Sequence, residues 1–148
     1  MNQESIIHRF LNGYCYALAY ELSPLLDLPI EMLFVTRSDG KRIEDPLHVY
    51  LRVSDQEIFD IKGKRPFSKM VKDFEGIASL IKRYDHEVIH FEQEILDDRD
   101  DLFELYSFDP AGLDKVNTDV LTFLGEAINS FSKQMSSVHL HCESGYER

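Results

Sequence analysis

Apolar side chains recur at helical spacing through the first 26 residues, with one interruption. Residues 3 to 11 carry them three and four positions apart. Asn12-Gly13 then supplies two residue types that tolerate a positive φ, which predicts a short helix that ends there. The spacing resumes at Tyr14 until prolines weaken it, so a second helix is expected over about 14 to 26. This interpretation places Cys15 in the first turn of the second helix.

The middle of the chain changes to short segments with the pattern of strands. Residues 31 to 37 are apolar and rich in strand formers, and a turn signal follows them. Residues 48 to 54 and 57 to 61 flank a polar break and predict a β-hairpin. We interpret KGKRP, 62 to 66, as a solvated loop, because glycine, proline and three cations interrupt the pattern. The alternative is that Lys62, Lys64 and Arg65 bind an anionic group near the end of the hairpin.

The second half of the chain predicts more helices around one further strand. Helical spacing returns over 67 to 84, residues 87 to 95 alternate like a half-buried strand, and 116 to 135 have the pattern of a long amphipathic helix. The expected fold class is α+β: helices first, a small antiparallel sheet in the middle and helices afterwards. A chain of this length fits one domain, 1–148, with a helical C-terminal part at 98–135.

Charge and cysteine content narrow the classes of partner and compartment. The net charge of −11 opposes binding to phosphate backbones and anionic lipid, so neither a nucleic-acid nor a membrane partner is expected. No apolar run approaches the roughly 18 residues that a membrane span needs, and the N-terminal residues lack the layout of a signal peptide. Cys15 and Cys142 form no disulfide framework, which predicts a reducing, cytoplasmic location.

Cys15 is the first candidate for chemistry. A free thiol is mostly protonated at neutral pH, and a helix N-terminus beside a histidine favours the reactive thiolate. Amide donors there can also hold the oxyanion that forms when a thiolate attacks an acyl carbon, so Asn12, Gly13 and Tyr14 are candidate oxyanion or substrate-binding residues. Gly13, without a Cβ, lets a substrate backbone approach the sulfur. The alternative is that Cys15 is a small apolar core residue.

Two polar residues within predicted strands are candidates for activating the thiol. His48 opens one strand, and Asp60 lies in a stretch that would otherwise be a buried strand, where an unpaired carboxylate is costly. A two-residue hairpin loop would pair Leu51 with Asp60 and turn the carboxylate away from His48. A three-residue loop, 54 to 56, would pair Tyr50 with Asp60 and put both polar side chains on one face. The break lacks the glycine of tight turns, which favours the longer loop.

Three stretches, GYCYALAYEL, LHVYLRV and IFDIKG, together resemble the papain-like cysteine enzymes, in the order found in transglutaminase-like and arylamine N-acetyltransferase-like members; NlpC-type hydrolases have a related core. The resemblance covers residues 12 to 63 and implies a papain-like core. It further implies that Cys15 is the nucleophile, His48 the general base and then acid, and Asp60 the residue that orients the imidazole. Papain has a glutamine shortly before its cysteine, whereas Arg9 stands six places before Cys15 here.

The activity that this resemblance implies is a hydrolase or an acyltransferase. It would act on a peptide, a protein or a small acyl or amide substrate through a thioester on Cys15. No cofactor-binding motif is visible in the sequence, so no cofactor is expected.

Other features support different interpretations. The acidic charge suits a noncatalytic binding protein, such as an adaptor, immunity protein or inhibitor. His139, His141 and Cys142 have the chemistry of zinc ligands but no companion cluster, and the acidic run at 97 to 101 lacks the glycine and glutamate of a calcium loop. We therefore expect no metal site.

Overall fold

Helices surround a five-stranded antiparallel sheet in the part of the protein that the computed structural model describes, residues 3–37, 39–76 and 89–131. The predicted mixture of helices and a small antiparallel sheet is therefore confirmed. The strands are β1 (Ile30–Arg37), β2 (His48–Arg52), β3 (Glu57–Asp60), β4 (Gly63–Pro66) and β5 (Ile89–Ile95). The helices are α1 (Gln3–Asn12), α2 (Cys15–Leu26), α3 (Phe67–Lys72), α4 (Asp101–Glu104), a 3-10 helix (Pro110–Lys115) and α5 (Thr118–Phe123).

The first two helices lie where the sequence predicts them, because local signals set their ends. The amide groups of Gly13 and Tyr14 both donate to the carbonyl of Arg9, which closes α1. α2 ends at Asp27, whose φ of 55° is left-handed. Cys15 is the first residue of α2.

The strand order is β4-β3-β2-β1-β5, so β1 to β4 follow one another across the sheet and β5 returns to pair with β1. Leu51 lies opposite Phe59, and Arg52 lies opposite Ile58. The same register places Tyr50 opposite Asp60. This confirms the three-residue loop, and the sheet therefore carries His48 and Asp60 on one face.

The interpretation of 62 to 66 as a loop is wrong. Asp60 pairs with Gly63 across a two-residue turn, and the chain continues as β4 at the edge of the sheet. Gly63 has a φ of 84°, which suits a residue without a Cβ. The cations that indicated a loop instead suit an edge strand, where charged side chains discourage pairing with other chains.

Two predicted helices are shorter than their patterns indicated, and a predicted strand is more exposed. α5 ends at a turn at Leu124, and residues 125–131 are helical again, so 116 to 135 is not one helix; residues 132–135 lie outside the described part. Gly125 follows the turn at Leu124, and glycine has a low helix propensity. The helix predicted over 67 to 84 begins as α3 but turns at 73–74, and its last eight positions, like 87 and 88, are not described. β5 is an edge strand, and its side chains from 90 to 95 are half-buried or exposed.

No helix among the described residues is both long and apolar enough to cross a membrane.

The alternation of β2 and β3 divides the apolar residues into two clusters on opposite faces of the sheet. The cluster on the α2 side contains Cys15 and the sheet residues Val49, Leu51 and Phe59. The cluster on the α3 side consists of Leu33, Tyr50, Ile58, Met70 and Phe74. His48, at the first position of β2, stacks against rings of the α3-side cluster and interacts with Cys15 of the α2-side cluster. The site described below therefore lies where the two clusters meet.

Replacing Gly112 with alanine is expected to lower the free energy of unfolding by about 1 to 3 kcal/mol, the usual cost of overpacking. A Cβ at this position would lie 1.9 Å from the hydroxyl oxygen of Tyr16. That hydroxyl donates a 2.8 Å hydrogen bond to the carbonyl of Asp109, so the ring cannot move without losing the bond. Urea unfolding measures the effect. Gly125→Ala is the control, because a Cβ there meets no atom within 4 Å, and it should leave stability unchanged or slightly higher.

Candidate active site

A buried histidine–carboxylate pair is the centre of the site. Nε2 of His48 lies 2.9 Å from Oδ2 of Asp60. Neither residue has more than 3% of its surface exposed. His48 comes from the start of β2 and Asp60 from the end of β3, and the three-residue loop between these strands places them one diagonal step apart. The prediction that these two side chains meet is therefore confirmed.

The carboxylate of Asp60 accepts hydrogen bonds at both oxygens. Oδ1 accepts from the amide of Lys62 at 2.9 Å and from Nε of Arg65 at 3.1 Å. Oδ2 accepts from Nη2 of Arg65 at 2.5 Å in addition to its bond with His48. Burial raises the pKa of Asp60, but the bonds and charges of His48 and Arg65 outweigh burial and hold that pKa below its ordinary value. Asp60 is therefore ionised.

The state of Asp60 determines which nitrogen of His48 is available for chemistry. An ionised carboxylate only accepts hydrogen bonds, so Nε2 of His48 donates to Asp60. Nδ1 is fully buried and has no partner with hydrogen-bond geometry among the described residues. Nδ1 is therefore the nitrogen that can exchange a proton with a neighbouring group.

The neighbouring group is the thiol of Cys15. Burial alone would lower the pKa of His48; the hydrogen bond to Asp60, with the hydrogen bonding and charge of Cys15, raises it instead, from 6.5 to about 9. Cys15 is thus close enough to act on the imidazole, although the pair does not form a well-aligned hydrogen bond. Such loose geometry is common in a catalytic pair without substrate. The structure brings together all three residues that the sequence named for catalysis.

The predicted oxyanion and substrate-binding residues directly precede Cys15 in the chain, and two of their amides already donate hydrogen bonds within the protein. The amides of Gly13 and Tyr14 both donate to Arg9, at 3.1 and 3.0 Å. An oxyanion role for either amide would require that bond to open. Asn12 ends α1, and its side chain is outside the described part of the structure. The amide of Cys15 itself starts α2, in the turn where helix amides lack an intrahelical acceptor.

Arg65 binds Asp60, whereas the sequence favoured a solvated loop for this residue and gave an anionic group only as the alternative partner of its cations. Arg65 lies on β4 opposite Ile58, which puts its side chain diagonal to Asp60 on the same face. Its Nη1 donates to Asp73 at 2.6 Å, so the guanidinium bridges two carboxylates. Gly63 was the sequence feature that could have indicated this contact. A tight turn that ends at this glycine makes the following residues, including Arg65, pair with β3, which carries Asp60.

A second polar network lies on the same sheet face, and sequence reasoning missed it. The hydroxyl of Tyr50 donates to Glu31 at 2.5 Å, and Arg52 contacts the same carboxylate through Nε and Nη2. The ring of Tyr50 stacks against His48, with 5.6 Å between centroids. This network therefore packs against the imidazole from its own strand, and Phe74 packs against it from beyond α3.

The site is closed in this structure. Cys15 has 7% of its surface exposed. The crevice beside it has no space for a water molecule and is lined mainly by apolar residues, among them Phe10, Leu18, Val49 and Phe59. Three larger cavities, of about 270, 470 and 480 Å³, are lined by other residues. With 7% of its surface exposed and no water-sized space in this crevice, Cys15 offers a substrate little access.

Most of the candidate metal ligands lie outside the residues that the structure describes. His139, His141 and Cys142 are not described, and no group of His, Cys, Asp or Glu in the described ranges has the arrangement of a metal site. In the acidic run, Asp98 accepts from the amide of Asp100, and Asp100 accepts from the hydroxyl of Tyr20.

No protein-family model, curated protein or solved structure matches the chain.

Proposed function

We propose that the protein is a papain-like cysteine enzyme, a hydrolase or acyltransferase that acts on a peptide, protein or small acyl or amide substrate. One observation carries the proposal: Asp60 holds Nε2 of His48 and leaves the buried Nδ1 without a partner next to Cys15. At neutral pH the raised pKa of His48 favours an imidazolium. A buried imidazolium needs an acceptor at both nitrogens, and the thiolate of Cys15 is the acceptor that the site offers at Nδ1.

The first half of the reaction forms the thioester. The Cys15 thiolate attacks the carbonyl carbon, and a C–S bond forms while the carbonyl electrons move to oxygen. In this proposal the amide of Cys15, at the start of α2, donates to that oxyanion. Collapse of the intermediate breaks the bond to the leaving amine, which takes the Nδ1 proton of His48. His48 is then neutral.

The second half releases the acyl group. Neutral His48 takes a proton at Nδ1 from water, or from an acceptor amine or alcohol, as that group attacks the thioester carbon. The C–S bond breaks and the electron pair returns to sulfur, which restores the thiolate beside the imidazolium. Neither half requires a cofactor. The chemistry needs Cys15 as a free thiol, which fits a reducing compartment such as the cytoplasm.

Replacing His48 with glutamine is expected to slow carbamidomethylation of Cys15 by iodoacetamide at pH 7 at least about tenfold. The imidazolium favours the thiolate, which is the form that reacts, and glutamine removes that charge. Peptide mass spectrometry measures the rate at Cys15, and Cys142 in the same protein is an internal reference. Denatured wild type supplies the rate of an ordinary thiol. Equal rates at Cys15 in wild type and His48→Gln would contradict the proposal.

The closed site favours a second candidate function, a noncatalytic acidic binding protein that keeps the same arrangement. Its support is the absence of water-sized space beside Cys15 together with the charge of −11. Capture experiments with wild type and Cys15→Ala separate the two functions. A partner that both proteins retain, and that salt releases, supports binding. A species retained only by Cys15→Ala supports an enzyme whose substrate stays uncleaved.

A further inference from the structure

Arg65 forms a largely buried, two-point ion pair with the carboxylate of Asp60. Its guanidinium binds both oxygens of Asp60, through Nε and Nη2, while Nη1 binds Asp73. The Arg65 side chain is 11% exposed and that of Asp60 2%. Asp73 also accepts from Nζ of Lys62, at 3.2 Å. Asp60 is thus held by a cation that is itself fixed from the opposite side.

The charges around His48 change during the proposed reaction, and Arg65 balances the state that would otherwise be unpaired. In the resting state of the proposed reaction, the His48 imidazolium lies between the thiolate of Cys15 and the carboxylate of Asp60. In the thioester, Cys15 and His48 are both neutral, so Asp60 would be a lone buried anion, which is strongly unfavourable. Arginine stays protonated throughout. Its charge can therefore compensate Asp60 in the thioester state.

We propose that Arg65 is a positioning residue of the site: it keeps Asp60 ionised and aligned with Nε2 of His48 while the imidazole is neutral, which allows His48 to release its Nδ1 proton. This inference rests on the proposed function. Without Arg65, loss of the proton from His48 would leave Asp60 uncompensated, so the imidazole would hold its proton more tightly. The leaving group would then receive that proton less readily.

Few other charged groups near His48 could compensate the charge of Asp60. The titratable groups facing His48 among the described residues are Cys15 from α2, Asp60 from β3 and Tyr50 from its own strand. Leu33 of β1 lies opposite His48, and Phe74 covers the ring. Arg65 is the cation that contacts the side chain of Asp60.

Replacing Arg65 with methionine in a Cys15→Ala protein is expected to raise the pH midpoint of the His48 titration by about one unit or more. The Cys15→Ala background removes the thiol from the titration and requires no enzymatic turnover. The ring resonances of His48 in NMR spectra of the full chain measure the midpoint. Arg65→Lys keeps the charge and should restore most of the original midpoint. Arg65→Gln replaces Arg65→Met if the methionine variant does not fold, and the same shift is expected.

Arg52→Met is the matched control, because Arg52 forms a comparable partly buried ion pair with Glu31 on the same sheet face. Arg65→Met and Arg52→Met should both lower the free energy of unfolding. Only replacement of Arg65 should raise the pH midpoint of His48 by about one unit or more. An unchanged or lowered midpoint in Arg65→Met and Arg65→Gln would overturn the inference and assign Arg65 a structural role alone. That result would leave the proposed function untouched, because the alkylation of Cys15 tests it separately.

Discussion

Replacing Asp60 with asparagine is expected to lower the free energy of unfolding by about 3 to 5 kcal/mol, the typical cost of removing one partner from a buried ion pair. Asp60 accepts from His48, from Arg65 and from the amide of Lys62. Asparagine has one acceptor oxygen and no charge, and its amide group would place a donor against other donors. Urea unfolding at pH 7 measures the loss as a shift in the transition midpoint at constant slope.

Glu31→Gln is the matched control for this substitution. Glu31 is also buried, and it binds Tyr50 and Arg52 on the same face of the sheet. Glu31→Gln should therefore also lower the free energy of unfolding. The two variants should differ at Cys15, whose alkylation by iodoacetamide should slow only in Asp60→Asn. If Asp60→Asn is as stable as wild type, the buried ion pair described above does not hold the sheet together.

The stability of the protein is expected to fall by about 3 kcal/mol as the pH rises from about 6.5 to about 9. The pKa of His48 is raised in the folded state to about 9 from an ordinary value of 6.5, although burial opposes the shift. A raised pKa means that the folded protein binds the proton more tightly than the unfolded chain. The contribution is therefore complete below pH 6.5 and is lost as the pH passes through the folded pKa. Urea unfolding at a series of pH values measures the slope.

His48→Gln should remove most of this slope, because the titrating group is gone. His90→Gln is the control, because His90 lies exposed on the edge strand β5 and its removal should leave the slope unchanged. A wild-type stability that stays flat between pH 6.5 and 9 would show that Asp60 and Cys15 do not favour the imidazolium.

The predicted parts of the site were those that depended on a few neighbouring residues. Asn12-Gly13 ended one helix, which placed Cys15 at the start of the next. The lack of glycine in the hairpin break favoured a three-residue loop, and that loop brought His48 and Asp60 to one face. Helix ends and hairpin registers follow from backbone preferences and side-chain alternation, both of which can be read over a short window.

Arg65 could not be assigned in that way, because its role depends on which strand it joins. A run of three cations with glycine and proline is typical of a solvated loop, and its composition allows an anionic partner without identifying Asp60 as that partner. Only the pairing of β4 with β3 places the guanidinium against Asp60.

Periodicity and turn chemistry are local properties of the chain, and they were enough to predict the first two helices, the central hairpin and the order of Cys15, His48 and Asp60. Only the folded protein shows how β4 and β5 join the sheet, that Asp60 pairs with Arg65 and that the crevice beside Cys15 has no water-sized space. Those features depend on which distant residues share a buried environment. A buried charge is stable only beside its counter-charge, and that partner is identified only when the strands are paired.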